Sequence, residues 1–154
     1  MTLSAVIPVY NAEKYLPRLF ASLEKQTLKD FEVSIVNDGS KDNSEQLILD
    51  FIKNNPDIKA IYNKIPNSGQ GAARELGIKS STGDYICFID SDDYIKDDLF
   101  KQCSQYMDED YDMIKYKAIV VDEEGNEKER VGGSIFIEEN GEEAFDMLYA
   151  SDTM

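Results

Sequence analysis

Between Leu3 and Ile89 short apolar runs alternate with helix-length amphipathic segments, and this alternation leaves few folds open to the chain. Leu3–Val9 is a short apolar run, the mark of a strand covered on both faces. Residues 12–25 carry Tyr15, Leu16, Leu19, Phe20 and Leu23 at helical spacing, with Asn11 as N-cap. Pro17 signals a kink or a start near Leu16. Residues 31–36 form a second strand. Residues 42–53 read as a helix with a capping box at Asp42 and Glu45, and with Leu47, Ile48, Phe51 and Ile52 facing inward. A third strand covers 58–62. Ser68 caps a helix of small residues holding Ala72, Ala73, Leu76 and Ile78, and an apolar fourth strand covers 85–89. Strands and helices in this order predict βαβ units and an α/β fold with a mostly parallel, doubly wound sheet.

Beyond Asp97 the pattern changes. A helix with Leu99, Phe100, Cys103 and Met107 on one face leads into a C-terminal hairpin of 113–121 and 127–137, turning at Glu124-Gly125-Asn126. A last helix covers 142–149. The two cysteines, Cys87 and Cys103, sit at apolar positions and read as core thiols.

In an open parallel sheet, ligands bind outside the carboxyl ends of the strands. All four predicted strands end in polar clusters: Pro8-Val9-Tyr10-Asn11, then Asn37-Asp38-Gly39-Ser40, then Asn67-Ser68-Gly69-Gln70-Gly71, then Asp90-Ser91-Asp92-Asp93. The clusters therefore meet on one edge of one sheet. The glycines at 69 and 71 are no dinucleotide fingerprint, because Arg74 stands where the third glycine belongs and the motif follows strand three. Arg74, among Ala72, Ala73 and Leu76, needs an anion or acceptor partner.

Charge narrows the chemistry further. The chain of 154 residues has a formal net charge of −15 and no histidine. Such a field repels nucleic acid and anionic lipid. It also repels a nucleotide phosphate, so a phosphate site here requires a cation. Without histidine, carboxylates and water must hold any metal, and oxygen-only sites suit Mg²⁺ or Mn²⁺. Asp-x-Asp spacing alone means little among 31 acidic residues, and Asp108, Asp110 and Asp112 repeat it. Asp90 and Asp92 differ in standing at the mouth of an apolar strand, where like charges repel unless a cation bridges them. No run of 18 apolar residues occurs, so no membrane span is expected. The start at Met1 lacks a signal-peptide pattern, and the cytosol is the expected location, or the inner face of the membrane in a full-length protein.

Four ordered motifs resemble those of family-2 glycosyltransferases of GT-A fold: Val6-Ile7-Pro8-Val9-Tyr10-Asn11, Val36-Asn37-Asp38-Gly39-Ser40-x-Asp42, Asn67-x-Gly69-x-x-x-Ala73-Arg74 and Asp90-Ser91-Asp92-Asp93. Gln26, closing the first helix, is similar to the family's glutamine there. The resemblance is tight over residues 3–95 and loose beyond. It implies a Rossmann-like GT-A fold and metal-dependent, inverting transfer of a sugar from a nucleotide diphosphate sugar, a UDP-sugar above all, to a glycan or lipid-linked acceptor. Residues 1–96 would be the nucleotide-sugar-binding region, and 97–154 the start of the acceptor side of the same domain.

The implied substrate-binding residues are Pro8, Tyr10, Asn11, Glu13, Asp38, Asn67, Arg74, Asp90 and Ser91. Among them Pro8, Tyr10 and Glu13 would line the nucleoside pocket. Asp38 would accept the uracil N–H, and Asn67 and Arg74 would close over the base or ribose. Asp90 would touch the ribose, and Asp92, with Asp90, would hold Mn²⁺ or Mg²⁺. Two departures stand out. Glu75 follows Arg74 where an asparagine is usual, and no acidic base motif follows the Asp-x-Asp motif before Met154. Neither Asp146 nor Asp152 matches the family's pattern, so the base is expected beyond residue 154 and the chain reads as a fragment. A sugar nucleotidyltransferase and a non-catalytic nucleotide-sugar-binding module remain as alternatives, although the former would add a glycine-rich basic loop after strand one.

Overall fold

The computed structural model describes residues 1–109, 111–116, 118–122, 127–131 and 137–138. The chain divides into two compact units after Ser104. In the first, four parallel strands stand in the order β3-β2-β1-β4: β1 (Leu3–Val9), β2 (Phe31–Asp38), β3 (Lys59–Ile65) and β4 (Tyr85–Phe88). Helices α1 (Leu16–Glu24), α2 (Ser44–Asn54) and α3 (Gln70–Ser80) connect them, and α4 (Leu99–Met107) follows. This is the expected α/β architecture. Every residue of the central strands β1 and β2 is buried, as strands covered on both faces require. The flanking strands are less covered: β3 is mostly half-buried, and Phe88 at the end of β4 is 44% exposed.

Alternation along β2 sends successive side chains to opposite faces. On the even face, the Ser34 hydroxyl donates to the Gly77 carbonyl of α3 at 3.1 Å. A Cβ on Gly77 would collide with the Val6 side chain, so the glycine lets helix and sheet approach closely. On the odd face, the Phe31 ring meets Phe100 of α4 with centroids 4.9 Å apart, and Phe20 of α1 stacks on Phe51 of α2 at 4.3 Å. Cys87 and Cys103 are buried, and burial, with Cys87 nearby, pushes the Cys103 thiol up to about 11.

The even-face carboxylates at the two ends of β2 hold the two ends of α3. At the helix start, Asp38 accepts the N–H groups of Ser68 at 2.7 Å and Gly69 at 2.9 Å. Past the helix end, Glu32 accepts the Thr82 N–H at 2.6 Å and hydroxyl at 2.7 Å. Glu32 also takes the Ser4 hydroxyl and pairs with Lys59 at 2.7 Å. Burial raises the Glu32 carboxyl, but Lys59, Thr82 and Ser4 more than offset it and hold the group at about 2.

Three expected caps are not formed. Asn11 does not cap α1. It takes the left-handed φ of 48° and its side-chain oxygen accepts the Lys41 N–H at 2.8 Å. A turn at Ala12 precedes α1, whose start at Leu16 places Pro17 in the first turn, where its missing N–H costs nothing. The box of Asp42 and Glu45 does not close. Asp42 accepts from Ser44, only two residues on, while Glu45 pairs with Lys64 at 2.6 Å and accepts the Tyr62 hydroxyl. Ser68 spends its hydroxyl on the Pro66 carbonyl, and Gly69, at φ 91°, leads into α3 instead. On α2 only Ile48 and Phe51 of the four expected inward residues are fully covered, and Ile78 of α3 is 44% exposed.

In the second unit, β6 (Ala118–Val121) pairs antiparallel with β7 (Glu127–Val131), and β5 (Met113–Ile114) pairs antiparallel with β8 (Ile137–Glu138). A hairpin was the expectation here. Its turn at 124–126, the helix over 142–149, Asp146 and Asp152 lie outside the described residues.

Candidate functional site

Parallel register brings the strand ends level: Val9 faces Asn37, Asn37 faces Lys64, and Asp38 faces Ile65. The β4 end is level too, because the Ile89 N–H extends the ladder to the Val6 carbonyl. The four polar clusters therefore lie on one edge, as parallel strands require. On that edge the expected site residues fall into two groups, those that brace the loops and those left without partners.

Asn11, Glu13 and Asp38 are braces. The loops after β1 and β2 are stitched together through both backbones. The Asn11 N–H donates to the Ser40 hydroxyl at 3.1 Å, and the Ala12 N–H to the Ser44 hydroxyl at 2.9 Å. The Glu13 N–H donates to Asp42 at 3.0 Å, while the Glu13 carboxylate accepts the Asn43 N–H at 2.8 Å. Burial raises the Asp42 carboxyl, and the Ser44 hydroxyl with the N–H groups of Glu13 and Ser44 brings it below its ordinary value. Asp38 is 3% exposed and has both oxygens on the loop ahead of α3. That loop also packs on the β2 turn. Gly39 has φ 71°, and a Cβ there would stand 2.7 Å from the Asn67 nitrogen.

Arg74 finds the acceptor its setting demanded. Its Nη2 donates to Asp90 Oδ1 at 2.6 Å, and its guanidinium lies 5.8 Å from the centre of the Phe88 ring. Gln70 donates to the same oxygen at 3.1 Å. Sequence reading missed Gln70, yet the signal was available: it stands four residues before Arg74, on the same face of α3. Two donors on Oδ1 fix the carboxylate and leave Oδ2 of Asp90 without a partner among the described residues. Arg74 Nε is buried with no acceptor.

The second group is open. Tyr10 is 45% exposed at the end of β1, next to buried Pro8 and Val9. The side chains of Tyr10, Asn67, Ser91 and Asp92 make no hydrogen bond or ion pair among the described residues, and Asn67 and Asp92 are exposed. Asp90 to Asp93 form a tight turn, with the Asp93 N–H on the Asp90 carbonyl at 3.0 Å. Burial, then the charges of Asp92 and Asp90, raises the Asp93 carboxyl above its ordinary value. Negative charge is thus concentrated where a dication would relieve it. Among the described residues no three carboxylate or thiol side chains form a ready-made metal cage. Mg²⁺ bound beside phosphates commonly takes only one or two protein carboxylates, and Asp90 with Asp92 suits that donor set.

Outside this edge, Gln26 is a strut. Fully buried, it donates to the carbonyls of Ser22 at 3.1 Å and Lys96 at 2.7 Å, and accepts the Phe100 N–H at 3.2 Å. It fastens the end of α1 to the segment leaving the Asp90–Asp93 turn.

A parallel α/β sheet with an acidic turn, an arginine and an open tyrosine gathered at its carboxyl edge belongs to the class of α/β proteins that bind ligands outside that edge. The comparisons specify the family. The profile of Glycosyl transferase family 2 matches residues 4–153, and the chain belongs to that family. It is 37% identical over 102 residues to the uncharacterized glycosyltransferase EpsJ of Bacillus subtilis, covering 66% of this chain and 29% of that protein. To the poly(ribitol-phosphate) β-N-acetylglucosaminyltransferase TarS of Staphylococcus aureus it is 33% identical over 124 residues, covering 77% of this chain and 22% of TarS. The chain thus spans less than a third of either relative's length. Crystal structures of S. aureus TarS 1–349 with UDP and with UDP-GlcNAc superpose with a TM-score of 0.65 each, at 36% and 35% identity, over 71% of this chain and 32% of theirs. The fold is therefore the GT-A fold of those structures.

Proposed function

We propose that this chain forms the donor side of an inverting, metal-dependent glycosyltransferase that takes a UDP-sugar and serves a glycan or lipid-linked acceptor. The observation that carries the reading is the division of the sheet edge. Braces hold the loops in place, and Tyr10, Asn67, Asp90 Oδ2, Ser91 and Asp92 are left available together. TarS, similar in sequence and fold, has been crystallised with UDP and UDP-GlcNAc, which supports uridine as the base.

In this reading Tyr10 and Asn67 flank the uridine, and Asp90 Oδ2 accepts a ribose hydroxyl while Gln70 and Arg74 keep it in place. Asp92 and Asp90 would hold Mg²⁺ or Mn²⁺. When bound, that ion neutralises the diphosphate in a chain of net charge −15 and stabilises the leaving group. The acceptor oxygen bonds to the anomeric carbon as the bond to the diphosphate breaks, and the acceptor's proton passes to a base. No described residue is assigned that role. No helix among the described residues is long and apolar enough to cross a membrane.

Calorimetric titration with UDP tests the proposal. Binding should be at least tenfold tighter with Mn²⁺ or Mg²⁺ than with chelator, and Asp92→Ala should remove most of that difference while the protein stays folded. Equal affinity with and without metal would overturn the metal-dependent reading. ADP bound as tightly as UDP would overturn the uridine assignment.

A further inference from the structure

Between α1 and the segment that leaves the Asp90–Asp93 turn lies a groove of about 530 Å³, lined by Arg18, Ser22, Lys25, Tyr94, Lys96 and Asp97 among others. That volume is within the range of small-ligand sites. Its walls are strapped together. The Ile95 N–H donates to the Ser22 hydroxyl at 3.2 Å, the buried Gln26 amide to the Lys96 carbonyl at 2.7 Å, and the Thr27 N–H to the Asp97 carbonyl at 2.8 Å. The groove is therefore preformed.

Its charge runs against that of the molecule. Three cations face one carboxylate here, in a chain whose net charge is −15. Elsewhere Lys59, Lys64, Arg74 and Lys79 each find a carboxylate within ion-pair distance. Lys14, Lys29, Lys41, Lys53, Lys101 and Lys115 make no ion pair among the described residues, but none of them lines this groove. Arg18, Lys25 and Lys96 make no ion pair among the described residues. The Arg18 guanidinium instead lies over the Tyr94 ring, 3.5 Å from its centre. Stacking uses the face of the guanidinium and leaves its in-plane N–H groups for a bidentate oxyanion. Lys25 and Lys96 add mobile point charges that suit a phosphate's remaining oxygens.

We infer that this groove is a second anion site, separate from the nucleotide edge, that takes the phosphate group of another ligand. None of Tyr10, Asn67, Asp90 and Asp92 lines it, so the donor's diphosphate is not its occupant. Three cations against one carboxylate leave two positive charges, which match a phosphate dianion or a run of phosphodiesters better than a single carboxylate. Tyr94 stands two residues past Asp92. A phosphate-bearing acceptor held here, or an anionic lipid headgroup, would therefore border the donor edge.

The test uses two probes. Tripolyphosphate is titrated calorimetrically, and vesicles of phosphatidylglycerol or of phosphatidylcholine are tested by co-sedimentation, all at low salt. Saturable tripolyphosphate binding without sedimentation assigns the site to a soluble phosphate-bearing ligand. Sedimentation with phosphatidylglycerol vesicles alone assigns it to a lipid surface. In either case Arg18→Ala/Lys25→Ala/Lys96→Ala should lose at least tenfold in affinity, while its affinity for UDP with Mn²⁺ changes less than twofold. Lys25→Ala/Lys96→Ala, which leaves the Arg18–Tyr94 stack in place, should lose at least threefold and guards against misfolding of the triple variant. Asp92→Ala should bind tripolyphosphate like the unaltered chain. No binding to either probe, or equal binding by both basic-residue variants, overturns the inference. Absence of UDP binding by the unaltered chain would count against the donor reading and leave the anion site standing.

Discussion

Removing the Asp38 carboxylate should loosen the loop ahead of α3 before it alters any contact with a nucleotide. Asp38 is 3% exposed, and its two oxygens accept the Ser68 and Gly69 N–H groups at 2.7 and 2.9 Å. A hydrogen bond to a charged group contributes about 1.5–3 kcal/mol, so the pair has a ceiling of about 3–6 kcal/mol. Ser68 and Gly69 are exposed, so water can rehydrate the freed donors, and Asp38→Ala should cost about 3 kcal/mol, near the lower bound. For a domain near 100 residues that loss lowers Tm by roughly 10–20 °C. Asp38→Asn keeps acceptor capacity without the charge and should fall between the two. Chemical denaturation gives the stability, and amide hydrogen exchange gives the loop. In Asp38→Ala, protection at Ser68 and Gly69 should fall far more than in β1. The reasoning fails if both amides keep their protection and stability is unchanged while preference for UDP over ADP disappears. That pattern would make Asp38 a direct reader of uracil.

Two more perturbations test the frame. The Glu32 carboxyl lies at about 2 in the fold against 4.5 ordinarily. Its stabilisation is therefore fully present above pH 4.5 and lost as pH falls toward 2, amounting to at most about 3 kcal/mol because Lys59 is largely exposed. Glu32→Gln should flatten the acid limb of a denaturation series over that window, and an unchanged limb would count against the network. Gly39→Ala would force φ 71° on a side-chain residue and press its Cβ to 2.7 Å from the Asn67 nitrogen. It should destabilise by about 1–3 kcal/mol and weaken UDP binding by displacing Asn67, whereas a neutral outcome by denaturation and titration would show that the two loops do not pack as described.

The parallel α/β sheet and the site's position were legible in the sequence because both follow from regular patterns, whereas the strand order β3-β2-β1-β4 came only from the structure. Apolar runs of strand length alternating with helical spacing require parallel βαβ units, and a parallel sheet gathers its carboxyl ends on one edge. The need of Arg74 for an acceptor was equally legible, since a guanidinium among alanines and leucine has few alternatives. Capping was not. Asn11, Asp42 and Ser68 are all residues that cap helices well, but each has a competing donor or acceptor from a loop distant in sequence or from its own turn. Asp42 and Ser68 each close a turn two residues long instead of a cap, while the Asn11–Lys41 bond spans thirty residues and leaves no local spacing to read. The same limit hid the roles of Glu13 and Asp38 as braces, because their partners at Asn43 and at Ser68 and Gly69 lie about thirty residues away. Phe88 is 44% exposed although it stands in an apolar strand. Position, rather than residue type, decides its exposure: β4 ends the sheet order among the described strands.

The central claim is that the carboxyl edge of this sheet binds a nucleotide through a divalent ion at Asp92. A crystal structure of the chain with UDP and Mn²⁺, with the ion located by its anomalous scattering, tests it most directly. Mn²⁺ should be coordinated by Asp92, Asp90 Oδ2 and the diphosphate, with a ribose hydroxyl also on Asp90 Oδ2, the base beside Tyr10 and Asn67, and Arg74 and Gln70 still on Asp90 Oδ1. Manganese bound away from Asp92, or UDP seated anywhere other than this edge, would contradict it.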